Sequence, residues 1–194
     1  MNAWPKTSRP GNGDDYRRIL NALYELAGRG AAVDLGCGEA HTTKDWPMCL
    51  LVDLVYRKAV LAAGRTLDQM DMRLAPALFR QERRAFNFAL MSDSLEHLKK
   101  EDGTKLIAEM IPLAKVVAIF VPVGPWKVDV AAIDPDAHKS EWWPREFQEQ
   151  GWGVWEFPSY HRFGAETLGA FWAWKFREAQ PTAEQVSEKS GVAI

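Results

Sequence analysis

A chain of 194 residues suits one domain with a full core and is short for two ordinary ones. Lys and Arg number 24 against 26 Asp and Glu, a net charge of −2, and no basic cluster exceeds Arg83-Arg84 or Lys99-Lys100. That argues against a dedicated nucleic-acid surface, because phosphate neutralisation dominates such affinity.

No apolar run reaches bilayer length and the N-terminus shows no signal-peptide segment, so membrane insertion is not expected. The two cysteines, Cys37 and Cys49, suggest neither a disulfide frame nor a metal site, and a cytoplasmic location is the simple expectation.

In chain order, Met1 to Gly13 is rich in Pro, Gly and polar residues and reads as a loose arm. Asp14 or Asp15 can cap a helix that carries Tyr16, Ile19, Leu20, Leu23 and Leu26 at helical spacing and closes at Gly28 and Gly30. A buried strand follows from Ala31 to Leu35, then a short helical turn over 42–46 stopped by Pro47. Further strands are expected over 48–53, 65–70, 86–91 and 115–121, with helices over 57–63, 74–84 and 101–113 between them. A long loop spans 122–140, a short helix entered through Pro144 spans 144–149, and 152–157 with 169–176 form an antiparallel closing hairpin. The domain therefore covers 14–177, and the polar tail over 178–194 is expected to fray. Strand–helix alternation predicts a parallel sheet with right-handed crossovers.

The most informative stretch is Val33-Asp34-Leu35-Gly36-Cys37-Gly38-Glu39. Gly36 and Gly38 permit a sharp turn and close approach of a ligand to the backbone, at the strand end where open α/β sheets bind nucleotide-like molecules. Asp34 and Glu39 would repel a diphosphate but hold an ammonium or sulfonium. This segment resembles the first motif of the class I S-adenosylmethionine (SAM) dependent methyltransferases, an acid followed by Gly-x-Gly-x-Gly, with Ala40 in place of the last glycine. The competing dinucleotide pattern, Gly-x-Gly-x-x-Gly, would need its third glycine at His41. The resemblance, nearest to the small-molecule, ubiquinone-biosynthesis-like branch, implies an α/β fold: a Rossmann-like, seven-stranded, mostly parallel sheet with an antiparallel last strand and helices on both faces. It also implies SAM as methyl donor, with S-adenosylhomocysteine as product, held around Asp34, Gly36, Cys37, Gly38 and Glu39.

Further positions match the family. Asp53 ends the second strand where the family's ribose-binding acid stands, followed by Leu54; its structural alternative is a helix N-cap. Asp71-Met72 resembles the adenine site, again with a cap or a solvated acid as alternative. Ser92-Asp93-Ser94-Leu95-Glu96-His97 resembles the loop whose backbone holds the methionine part of SAM. His97 is a general-base candidate, or equally a histidine packed under the next helix. His138-Lys-Ser140-Glu-Trp142-Trp143 resembles a segment that passes over the substrate side in some members, making His138 a second base candidate. Trp126, Trp142 and Trp143 are candidate substrate contacts, with core packing as the commoner fate of tryptophan.

Absent motifs narrow the acceptor. The Asn/Asp-Pro-Pro-aromatic loop of amino-methylating enzymes and the Pro-Cys of cytosine-carbon enzymes are missing, as are the convergent carboxylates of catechol-type metal sites. The expectation is a metal-free, in-line transfer to a hydroxyl, or next an amine, of a small molecule, sugar or lipid precursor. Two alternatives remain: another SAM-fold reaction (aminopropyl transfer or SAM cleavage), and a non-catalytic SAM-binding partner subunit.

Overall fold

The computed structural model describes residues 13–55, 66–125, 137–163 and 166–193. The expected arm over 1–13 except Gly13, the whole expected helix over 57–63 and Trp126 lie outside these.

The first helix, α1 (Gly13–Leu26), has Asp14 and Asp15 in its first turn, where the helix dipole favours negative charge. It buries Ile19, Leu20 and Leu23 completely, while Leu26, expected on the same face, is exposed. Left-handed backbone at Gly28 and Gly30 ends it. Strands β1 (Ala32–Leu35), β2 (Cys49–Asp53) and β3 (Leu67–Gln69) follow. Helix α2 (Ala75–Gln81) and strand β4 (Phe86–Ser92) come next, then α3 (Lys100–Met110) and β5 (Ala114–Pro122). The short helix α4 (Pro144–Gln148), the strands β6 (Gly153–Phe163) and β7 (Glu166–Phe176), and α5 (Ala183–Ser190) complete the described chain.

One seven-stranded sheet runs β3-β2-β1-β4-β5-β7-β6. The first five strands pair in parallel, Val33 lying opposite both Leu50 and Ala89, and β7 pairs antiparallel with β5 and β6. The expected sheet is the observed one. Alternate residues feed two cores, as the period of a strand requires. Val33, Ala89, Met91 and Val117 pack on one face with Phe79 of α2 and with Leu106 and Met110 of α3. Phe88, Leu90, Ala118 and Trp172 pack on the other with Ile19 and Leu23 of α1 and Val186 of α5. Strand order reverses between β1 and β4, so a crevice opens at their carboxyl ends.

Several elements depart from the sequence reading. Residues 42–45 form a turn rather than a helix, since so short a segment gains too few hydrogen bonds to offset nucleation. The helix expected over 101–113 ends at Met110 and tightens into a 3₁₀ turn, Ile111–Leu113, around Pro112, which lacks an N–H. The hairpin is longer than expected: Pro158 suggests a stop after Phe157, but a register shift between Phe157 and His161 lets β6 continue. The tail is not frayed. Thr182 and Gln185 make a reciprocal capping box, Val186 is fully buried, and Gly191 closes α5 in the left-handed region.

Candidate functional site

The crevice holds a cavity of about 370 Å³, within the range of small-molecule sites. Its floor is the turn after β1. The N–H groups of Gly36 and Cys37 both donate to the Val52 carbonyl, at 2.8 and 3.1 Å, which folds the turn over the end of β2. Gly36 has φ +74°, and a Cβ there would stand 2.6 Å from the Ser94 Cβ of the loop after β4. Gly38 faces open space, and its N–H donates to Asp53 Oδ2 at 2.8 Å. Asp53 Oδ1 accepts from the Val55 N–H at 2.8 Å. The carboxylate is thus fixed from both sides on the cavity wall.

Of the residues expected around a methyl donor, Gly36, Gly38, Asp53, Leu54, Asp71, Met72 and Asp93 line this cavity. Four expected residues are not on its wall. Asp34 is buried and accepts a hydrogen bond from the Thr43 hydroxyl at 2.8 Å, so its charge supports the turn from behind. Cys37 Sγ contacts the Gly38 carbonyl at 3.5 Å, and Glu39 is exposed to solvent. Ser92 Oγ lies 2.7 Å from the Tyr16 hydroxyl, tying β4 to α1. Burial pushes that phenol above its ordinary range. Asp71 is engaged by Arg73, whose hydrogen bonds hold the carboxyl below its usual range. Arg73 also donates to Asp102 of α3 at 2.9 Å, bridging two walls of the cavity.

The loop after β4 brings several titratable groups to the cavity. Asp93 adopts a left-handed backbone, φ +46°, and its N–H donates to the Phe120 carbonyl of β5 at 2.8 Å. Leu95–His97 forms a 3₁₀ turn. Glu96 is 2% exposed, and its carboxyl is pushed up by burial and by the neighbouring Asp93 charge. The N–H groups of Lys139 and Ser140 both donate to the Glu96 carbonyl, at 2.7 and 3.2 Å, and so dock the loop before α4 onto this turn. Docking brings His138 to His97, with ring centroids 4.9 Å apart and the planes nearly perpendicular. Burial and the two neighbouring histidines, His97 and His161, lower His138 to about 4.

The two base candidates therefore belong to one site. One donor atom from each of Glu96, His97 and His138 lies within 4.8 Å of the others, a spacing that could hold a metal ion. The sequence reading expected no metal. That expectation considered carboxylates after the fourth and fifth strands, whereas the histidine partner comes from a loop more than forty positions away.

Of the three tryptophans expected at the substrate, Trp142 is 3% exposed. It lies across Gly103 of α3 beneath the Lys100 ammonium, and its Nε1 donates to Ser140 Oγ at 2.9 Å. It packs the loop rather than a ligand. Trp143 is 45% exposed and lines a shallower recess with His138 and Pro125. His97 lines the cavity at the crevice, His138 the recess, and Lys139 both. His161 was not expected here. The β6 extension beyond Pro158 puts its Nε2 3.8 Å from Asp93 Oδ1. Arg73 and Asp102 were also missed, because each reads as an ordinary surface charge.

No protein-family model and no curated protein matches the sequence. Solved structures do match in fold. The small RNA methyltransferase HEN1 aligns with 92% of this chain and 27% of its own, at 17% identity and a TM-score of 0.57. The chain thus spans about a quarter of that protein. The methyltransferase domain of a bacterial Hen1 aligns over 84% of this chain and 97% of its own, at 15% identity and a TM-score of 0.57. The 1,6-didemethyltoxoflavin-N1-methyltransferase of Burkholderia thailandensis, solved with its substrate and S-adenosylhomocysteine, aligns over 84% and 79%, at 16% identity and a TM-score of 0.58. The fold is that of the class I SAM-dependent methyltransferases.

Proposed function

We propose that the chain is a SAM-dependent methyltransferase acting on a hydroxyl-bearing small molecule. The observation that carries this reading is the arrangement at the switch point. A glycine turn open to the cavity at Gly38 is locked by its N–H to the Asp53 carboxylate on the same wall.

That wall fits the methyl donor. Asp53 would accept from the two ribose hydroxyls, Leu54 and Met72 would flank the adenine, and Asp71 would sit at its edge. The loop of Asp93 would face the amino-acid portion, whose ammonium suits an acidic surround. Bound SAM supplies an activated methyl on a sulfonium. The protein's task is to align an acceptor with it and exclude water, a contribution of about 7–11 kcal/mol when the geometry is right.

No helix among the described residues is long and apolar enough to cross a membrane. The acceptor approaches from the recess beside His138 and Trp143. A panel of sugars, phenols, lipid precursors and amines, with a small RNA added because HEN1 is named for one, tests the class. Incubation with SAM should yield a small-molecule product heavier by one methylene, with S-adenosylhomocysteine released in equal amount. Aminopropyl transfer would give a different mass increment, and SAM cleavage would proceed without acceptor. Tight SAM binding without turnover on any acceptor would instead favour the partner-subunit role.

A further inference from the structure

Resting on the methyltransferase reading, we propose that Glu96, His97 and His138 bind a divalent transition-metal ion at the boundary between the donor cavity and the acceptor recess. Three donor atoms converge within 4.8 Å. Two of those residues carry atoms that the fold leaves unsatisfied. Glu96 Oε2 and His97 Nδ1 are buried and have no hydrogen-bond partner. An unpaired buried polar atom costs about 1–3 kcal/mol, more when charged, and a cation between them would offset that cost. A general base would account for one histidine; it leaves the buried Glu96 carboxylate unexplained.

The donor set defines the class of ion. Two imidazoles and one carboxylate suit zinc, manganese, iron or cobalt, whereas calcium and magnesium favour oxygen donors. Three protein ligands leave coordination positions open, as in catalytic rather than structural sites. The surroundings are built to hold the geometry. Lys139 and Ser140 clamp the Glu96 backbone, fixing the 3₁₀ turn against the His138 loop.

The placement between cavity and recess has a chemical consequence. An acceptor hydroxyl that ligates the ion gives up its proton to water more readily. Its oxygen then forms the new O–C bond as the C–S bond breaks, the electron pair staying on sulfur to release neutral S-adenosylhomocysteine. This favours an oxygen over an amine as acceptor.

The test reads metal binding in the absence of SAM, on the full chain after chelator treatment. Cobalt is followed by visible absorption and zinc by calorimetry. The native chain should bind a single ion, and Glu96→Gln, His97→Asn and His138→Asn should each weaken binding at least about tenfold, with His41→Asn unchanged. Circular dichroism and S-adenosylhomocysteine calorimetry on the same samples report folding and the donor cavity. Should Glu96→Gln fail to fold, His138→Asn on its loop decides. No metal binding by the native chain, or binding that none of the three variants weakens, overturns the proposal, even if S-adenosylhomocysteine binds. Ligand-specific metal binding without S-adenosylhomocysteine binding would leave the metal site standing and remove the methyltransferase reading.

Discussion

At Gly36 two requirements coincide. The backbone is left-handed, which costs an L-residue about 1–2 kcal/mol, and the Ser94 side chain occupies the space a Cβ would need. Gly36→Ala should therefore destabilise the protein by about 1–3 kcal/mol, read as a lower midpoint in urea unfolding, and should weaken S-adenosylhomocysteine binding as the turn is pushed off Ser94. Ala40 shows how far the motif bends: it stands in the last glycine's place with φ +53° and remains buried.

Asp71 carries a pH signature. Its folded carboxyl lies below its unfolded value because Arg73 donates to it. It contributes stability above the unfolded value, and that contribution disappears as pH falls through the folded one. Arg73→Met should remove this contribution, giving a smaller loss of thermal stability on acidification than the native chain shows.

The residues whose chemistry depends on a turn or a strand end were legible in the sequence: Gly36, Gly38, Asp53, Asp71 and Met72 all reach the cavity. Asp34 was legible as important, and its strand as buried, but its place behind the turn was not, because that depends on the hydrogen bond from Thr43 in the segment after the turn. The partnership of Glu96 with His138 was not legible, since it depends on backbone hydrogen bonds between two loops.

Among the elements, the closing hairpin and the last helix departed most from what local pattern suggests. Gly153 opens β6 directly beneath the Trp174 indole, which occupies the position a Cβ would take. Gly153→Ala should cost about 1–3 kcal/mol through displacement of that ring, visible in the tryptophan fluorescence as well as in the unfolding midpoint. The β6 extension is hidden in the sequence by Pro158, because a bulge absorbs the residue that cannot pair. That extension is what carries His161 to Asp93.

Helix α5 did have a signal: the capping box of Thr182 and Gln185 precedes Val186. A polar composition masked it, since this helix buries one side chain rather than a stripe. Val186→Asp should detach α5 from α1 and expose the segment to proteolysis, while Val186→Ala should cost about 1.5–3 kcal/mol. The Lys189–Glu25 pair between the same helices, 2.9 Å long and exposed, should contribute little by comparison.

At the scale of the whole molecule, the parallel sheet was readable from strand and helix alternation and the seven-stranded plan from the family resemblance, while the strand order comes from the structure. Reversal of that order beside β1 places the glycine turn, the Asp53 carboxylate and the β4 loop around one cavity. The loop before α4 then adds the acceptor side, with His138 and Trp143 on the recess. Each part is supplied by a different element, so the site exists only in the folded domain.

The central claim is that this cavity holds the methyl donor. Calorimetric titration with S-adenosylhomocysteine, on the native chain and on Asp53→Asn, tests it most directly. The asparagine keeps an oxygen for the Gly38 N–H and removes the charge. Binding that the substitution weakens by about 1.5–3 kcal/mol, as for a hydrogen-bonded charge, is the result expected. Absence of binding by the native chain, or equal affinity in the two proteins, would contradict the assignment of this cavity.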